Sequence, residues 1–275
     1  MSPPSDCGLP SDIRPVEFEP DVHAALWGEE EWLVSAHPRS PGRIVGSGGA
    51  TLRDICPSFP LLVKRISARR SLSVQVHPSE ATAAVVGGEP KTEMWCVLEA
   101  GPIFAGFRPG VTAADVERAV HDGSFESILV RFDAKPGECY FIPGGLVHAI
   151  GAGTSVYEVQ QSSDTTFRLY DWGRVGADGR PRKLHVKEAL AALDLSLPPP
   201  VPEPAVSCRY FDFAKMPEGE VAASPHWRVV YTPSTRASFL LPPGAVAETH
   251  APSFLTTVRG FAREPQPWNI QGRAL

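Results

Sequence analysis

Cysteine is scarce in this chain and builds no framework. The five present, Cys7, Cys56, Cys96, Cys139 and Cys208, are odd in number and never spaced C-x-x-C. That pattern argues against a disulfide scaffold and against a thiolate metal site. An excess of basic charge is also missing. The net charge is −5 with no run of Lys or Arg, so nucleic acid is not an expected partner. No apolar run approaches the ~18 residues that a membrane span needs, and "MSPPSDCGLPSDIRPVEFEP" lacks the apolar core of a leader. The expectation is a reduced, cytoplasmic protein with no membrane partner. Internal repeats of solenoid length are absent too.

What the chain does have is proline (29) and glycine (24), with 43% apolar and 21% charged residues over 275 positions. That balance supports a packed core cut into many short strands rather than a helical bundle. Residues 1–20 read as a flexible arm. Strand patterns follow in "EEEWLVSAHP", "FPLLVKRIS", "SLSVQVH", "TEMWCVLEA" and "GPIFAGF", and again in "SILVRFDAKPGECYFIPGGLVHAIG" and "TSVYEVQQSSDTTFRLYDW". Short helices are expected at "TLRDIC", "PSEATAAVV", "TAADVERAVHDG" and "HVKEALAAL"; the third has a Thr N-cap and a glycine stop. The prolines of "LPPPVPEP" mark a stiff linker at 198–204. They divide a domain at 21–197 from a smaller β unit at 205–275, which breaks off within the strand-like "WNIQGRAL".

Chemistry concentrates where strand alternation puts polar groups on one face. In "SLSVQVH", Leu72, Val74 and Val76 point one way and Ser73, Gln75 and His77 the other. The next strand opens with Lys91 and Glu93. Farther along, Gly137, Pro143, Gly145 and His148 follow the spacing G-x5-P-x-G-x2-H, which resembles the second motif of the cupin superfamily of small β-barrels. Ala152 stands where that motif usually ends in asparagine. Gln75, His77, Glu93 and His148 in one barrel interior would offer nitrogen and oxygen donors to a divalent metal, with Zn²⁺ favoured over Fe²⁺ or Mn²⁺. The competing reading is a set of hydrogen-bonded core side chains. His23, His37, His121, His185, His226 and His250 have no such company and read as structural or surface residues.

Four blocks in order, "FPLLVKRISARRSLSVQVHP", "KTEMWCVLEAGPIFAGF", "IPGGLVHAIG" and "YEVQQSSDTTFRLYDWGR…DGRPRKLH", resemble the type I mannose-6-phosphate isomerases of the short bacterial form over about residues 30–195. The resemblance implies a mainly β fold: a cupin (jelly-roll-like) barrel with a few short helices, then a shortened second cupin-like unit. It implies one zinc ion per chain on Gln75, His77, Glu93 and His148. It also implies a phosphosugar substrate isomerised between mannose 6-phosphate and fructose 6-phosphate through a cis-enediol. By the same resemblance Arg168, in the S-D-x-x-x-R pattern, Glu158 and Lys91 become catalytic candidates. Lys64, Ser73 and Lys91 fall near the sugar phosphate and hydroxyls. Arg168 with Glu158 could instead be an ordinary cross-strand ion pair. Two other functions compete: a non-catalytic sugar-phosphate-binding cupin, and an iron-dependent cupin oxygenase. A monomer is expected.

Overall fold

The computed structural model describes residues 8–9, 14–176, 179–260 and 266–267. The chain forms two compact units. One takes in the N-terminal stretch up to Val22, then Glu31–Lys64, and the chain from Pro204 onward; the other is His23–Glu30 with Arg65–Glu203. Residues 31–64, inside the stretch expected as one barrel, therefore group with the C-terminal β unit. The notional break in the strand "WNIQGRAL" lies outside the described residues.

The C-terminal unit is built on a seven-stranded antiparallel sheet in the order Val206–Ser207, Phe211–Met216, Ser253–Val258, Arg228–Thr232, Ala237–Leu241, Val16–Glu19 and Arg43–Ile44. The fourth of these, with all five residues buried, is central. Val16–Glu19 falls within the segment expected as a flexible arm. It pairs with Ala237–Leu241, Phe18 lying opposite Ser238, and the Phe18 ring is buried. A two-residue alternation of Val16 and Phe18 with Glu17 and Glu19 is the physical reason. Cys56, buried beyond the short helix Leu52–Ile55, is disulfide-bonded, a departure from the fully reduced expectation.

The second unit carries the polar strand face. Its five-stranded sheet runs Leu129–Ala134, Gly101–Phe107, His148–Ile150, Val74–Val76 and Phe167–Tyr170. In a second sheet Glu93–Glu99 lies between Cys139–Ile142 and Ser155–Gln161, antiparallel to both. Val74 and Val76 pack outward in a core with Val116, Ala119, Phe125 and Ala189. Those residues come from the helices Ala113–Asp122, Phe125–Ile128 and Val186–Ala192. Burying the valines beneath helices turns Ser73, Gln75 and His77 to the opposite face, as alternation requires. That inner side shares its space with a core around Trp95, Ile103, Tyr140, Ile142 and Ile150.

The sequence signals at the ends of the Ala113–Asp122 helix act as read. Thr112 and Asp115 make a reciprocal capping box, and Gly123 takes the left-handed conformation at φ 77°. The proline-rich stretch does more than link. Pro199 packs within 2.9 Å of where a Cβ on Gly106 would stand. Glu203 exchanges both backbone hydrogen bonds with Cys139 at 2.9 Å. The segment thus pairs the first residue of the edge strand Cys139–Ile142, whose backbone groups would otherwise be open there.

Candidate metal centre

Backbone register brings the ligand candidates together. His148 lies directly opposite Gln75, which lies opposite Arg168 on its other side. Residues directly opposite in antiparallel strands share a face, so the three side chains leave the sheet on the same side. On the facing sheet Glu93 lies opposite Gln160, and Glu158 opposite Trp95. His77 reaches the group from just past the end of the Val74–Val76 strand. Its carbonyl is held by the Gly145 N–H at 2.8 Å. Gly145, with φ 97°, is the motif glycine of the turn that leads into His148. The turn that presents one histidine is therefore tied to the backbone of the other.

His77, Glu93 and His148 could hold a metal ion: one ligand atom from each lies within 4.8 Å of the others. All three are buried, with 1%, 1% and 0% exposure. Each imidazole has its Nδ1 fixed by a backbone carbonyl, His77 to Thr165 at 2.8 Å and His148 to Leu146 at 2.9 Å. A carbonyl only accepts, so both Nδ1 atoms carry the proton and both Nε2 atoms present a lone pair. Those two Nε2 atoms lie 3.2 Å apart, with Glu93 oxygens 3.4 Å and 3.5 Å away. Two lone pairs and a carboxylate converge in a buried place where the only cation among the described contacts is the Lys91 ammonium, which meets His77 and Glu93, and a divalent ion could bridge all three ligands. The donor set fits a divalent metal on these grounds.

Electrostatics agree with neutral imidazoles beside an ionised carboxylate. Burial, with the Lys91 charge adding to it, brings the His77 pKa down to about 3, and burial lowers that of His148. Burial alone would raise the Glu93 pKa, but Lys91 first, then His77 and His148, hold it well below the usual carboxylate range. Lys91, 5% exposed, sets its ammonium 3.0 Å from Glu93 Oε2 and donates to His77 Nε2 at 3.0 Å. Burial would lower its pKa, yet Glu93, Glu158 and Glu30 outweigh that and push it up. Glu93 Oε2 accepts no hydrogen bond among the described residues, the Lys91 contact being an ion pair outside hydrogen-bond geometry.

Gln75 stands beside this cluster, its Nε2 3.3 Å from His148 Nε2 and its Oε1 accepting from the buried Ser73 hydroxyl at 3.2 Å. Turning the amide end for end would aim the oxygen at the imidazoles, and amide orientation is set by such neighbours alone. Glu158, 3% exposed, accepts from the Trp95 indole at 2.9 Å, and Trp95 meets the His148 ring edge-on at 5.4 Å. Arg168 is half-buried, and its guanidinium has no ion-pair partner among the described residues. The ordinary Arg168–Glu158 pair is thus not formed. Burial lowers the Arg168 pKa, assisted by Arg182 and Arg174 and opposed by Asp171. Lys64 belongs to the other unit, buried, with its ammonium 5.0 Å over the Trp32 ring.

Reading residue types left several participants unseen. The carbonyls of Thr165 and Leu146 set both histidine tautomers, and backbone groups carry no sequence signal. His185, taken as structural, accepts the Arg168 backbone N–H at 3.3 Å and returns its own N–H to the Arg168 carbonyl at 2.8 Å. Trp95 lay in a quoted strand, but nothing in that strand signalled a contact to Glu158.

No protein-family model matches the chain. It is 39% identical over 226 residues to the Bacillus subtilis mannose-6-phosphate isomerase ManA, covering 69% of this chain and 70% of that protein. Against the Streptococcus mutans mannose-6-phosphate isomerase the figures are 34% over 201 residues, 66% and 63%. The chain thus matches about two thirds of the length of these curated relatives. Among solved structures, the Bacillus subtilis mannose 6-phosphate isomerase superposes with TM-score 0.75 at 23% identity, covering 89% of this chain and 99% of that one. A variant of the Salmonella typhimurium phosphomannose isomerase gives 0.63 at 14%, covering 90% and 100%. These two likenesses establish the fold, which is mainly β and of the expected cupin type. With the sequence identity to the Bacillus subtilis protein extending over more than two thirds of its length, the chain belongs to the mannose-6-phosphate isomerase family.

Proposed function

We propose that the chain interconverts mannose 6-phosphate and fructose 6-phosphate with one zinc ion held by His77, Glu93, His148 and, after rotation of its amide, Gln75. The observation that carries this reading is the convergence of the two deprotonated Nε2 atoms on each other, 3.2 Å apart, beside the Glu93 carboxylate. Nitrogen and oxygen donors without thiolate suit zinc among the divalent metals. When bound, zinc would act as a Lewis acid toward the oxygens on the reacting carbons.

The chain's own residues then have distinct tasks. Removing the proton from C2 of the open-chain aldose leaves negative charge on oxygen, and the proton must return at C1. Arg168, unpaired and on the same sheet face as Gln75 and His148, supplies a fixed positive charge for that oxygen. It is no base, since a guanidinium stays protonated at neutral pH. Glu158, oriented by the Trp95 N–H, is the proton carrier. Lys91, whose pKa the neighbouring carboxylates push up against its burial, serves as a donor and as the counter-charge to Glu93. Ser73 is placed to meet a sugar hydroxyl, and Lys64 remains a candidate contact for substrate. On this reading the chain works as a monomer in the cytoplasm; no helix among the described residues is long and apolar enough to cross a membrane.

The non-catalytic alternative would tolerate loss of Arg168, Glu158 or Lys91 with the ligands kept, and all three are present. A coupled assay of mannose 6-phosphate conversion, before and after chelation and after restoring zinc, tests the proposal. Turnover that survives complete metal removal would refute it.

A further inference from the structure

The loop at 162–166 carries the chain from the Ser155–Gln161 strand of one sheet to the Phe167–Tyr170 strand of the other and has no ladder of its own. Its backbone groups must find partners elsewhere, and they find them beside the candidate metal centre. The Thr165 carbonyl accepts the His77 Nδ1–H at 2.8 Å. The buried Ser163 hydroxyl accepts the Thr165 N–H at 3.2 Å and donates to the Glu89 carbonyl at 3.3 Å. The Glu89 N–H in turn reaches Thr165 Oγ1 at 3.1 Å.

One amide ties this loop down. Gln160 lies opposite Glu93 and is fully buried. Its Nε2 donates to the Gln161 carbonyl at 2.9 Å and to the Ser163 carbonyl at 2.6 Å. Carbonyls only accept, so the NH2 group must face them; turning the amide over would set oxygen against oxygen. The cost falls on the other end, where Gln160 Oε1 is buried with no hydrogen-bond partner among the described residues. A buried acceptor left unpaired opposes folding, and the two donated bonds are what offset it. Gln161 is a fixed point for this pull. Its Oε1 accepts the Thr92 N–H at 2.9 Å, and its own N–H reaches the Thr92 carbonyl at 3.1 Å.

This series of contacts ends on a lone pair. Gln160 holds the Ser163 carbonyl, Ser163 holds the Thr165 N–H, and the Thr165 carbonyl fixes which His77 nitrogen carries the proton. With that proton on Nδ1, the bare Nε2 faces Glu93 Oε2 at 3.4 Å and His148 Nε2 at 3.2 Å. A slack loop would free the ring to change tautomer, and a proton on Nε2 closes that ligand position. His148 supplies the contrast within the same centre. Its Nδ1–H goes to the Leu146 carbonyl at 2.9 Å, in the turn at 143–147 and outside this loop.

We propose that Gln160 and Ser163 are positioning residues for His77: they clamp the 162–166 loop so that the Thr165 carbonyl keeps the His77 Nε2 lone pair turned toward Glu93 and His148. The inference rests on the metal reading above and is independent of the isomerase activity. Full-length wild type, Gln160→Met and Ser163→Ala are compared. NMR of the imidazole nitrogens in the metal-free chains at neutral pH reads each tautomer, and zinc titration against a chromophoric chelator reads affinity. In the wild type both His77 and His148 should carry the proton on Nδ1 alone. Each variant should bind zinc about tenfold more weakly, with His77 in mixed tautomers and His148 unchanged. A merely structural role would lower unfolding stability and leave the His77 tautomer and the zinc affinity of the folded chain as they were. That result in folded Gln160→Met would overturn the proposal. If neither variant folds, the wild type decides: a His77 Nδ1–H protected from solvent exchange is expected, and a proton on Nε2 would overturn the assignment. Mixed His77 tautomers in the variants of a chain that takes up no zinc would uphold the positioning role while defeating the metal reading.

Discussion

Replacing Glu93 by glutamine separates the two tasks the structure gives this carboxylate, balancing Lys91 and binding a metal. Its Oε2 lies 3.0 Å from the Lys91 ammonium, and the two side chains are 1% and 6% exposed. Removing one member of a buried ion pair costs about 3–5 kcal/mol, because the other charge is left without compensation. Lys91 can limit the loss by giving up its proton. Deprotonating an ordinary lysine amine at neutral pH costs about 5 kcal/mol, so the upper bound is of the same size. Urea unfolding of chelator-treated Glu93→Gln should therefore show a loss of about 3–5 kcal/mol relative to wild type treated alike. Adding Lys91→Met removes the stranded charge and should recover most of that stability, since neutral packing often equals a buried pair. It should not restore the metal: zinc affinity is expected to stay at least about 100-fold weaker in both the single and the double variant, extending the effect of weaker ligand perturbations. A Glu93→Gln variant with wild-type zinc affinity, or one losing under about 1 kcal/mol without metal, would break the argument.

Arg168→Lys keeps the charge but loses the fixed planar fork; kcat should fall about 100-fold or more with bound zinc unchanged, read by steady-state kinetics beside metal analysis. The metal-stripped chain should lose stability as pH falls. His77, with its pKa near 3 when folded and 6.5 when unfolded, contributes fully above pH 6.5 and loses on the order of 5 kcal/mol by pH 3. Glu93 deepens the loss only below the ordinary carboxylate range, because its folded pKa is also depressed, and a flat unfolding profile between pH 7 and pH 4 would contradict the His77 assignment. Gly144→Ala would drive a Cβ to 2.6 Å from the Pro78 carbonyl oxygen and 2.8 Å from Ser79 Cα, both backbone atoms. The expected cost is about 1–3 kcal/mol, with weakened zinc binding because Pro78 follows His77; unchanged unfolding and zinc titrations would show that the turn can yield.

The polar face of the Val74–Val76 strand was legible because strand geometry has a period of two and leaves no choice once Val74 and Val76 are buried. The turn before His148 was legible because Pro143 and Gly145 have few conformations to choose from, and Gly145 does take the positive φ that glycine permits. The N-terminal strand escaped notice because four residues, Val16–Glu19, carry too short an alternation to stand out beside a proline-rich start. The surroundings of Lys91 were only half legible, because the sequence shows the next acid, Glu93, but not Glu158, which arrives from another strand.

By itself, then, the sequence determined which residues could donate to a metal and which strand faces they occupy, since both follow from side-chain chemistry and local backbone period. Only the tertiary structure decided that His148 lies opposite Gln75, that two carbonyls turn both imidazole lone pairs toward each other, and that Asp171 gathers arginines beside Arg168. Those outcomes depend on strand register and on backbone groups shared by every residue, and neither is written in the identity of any one side chain.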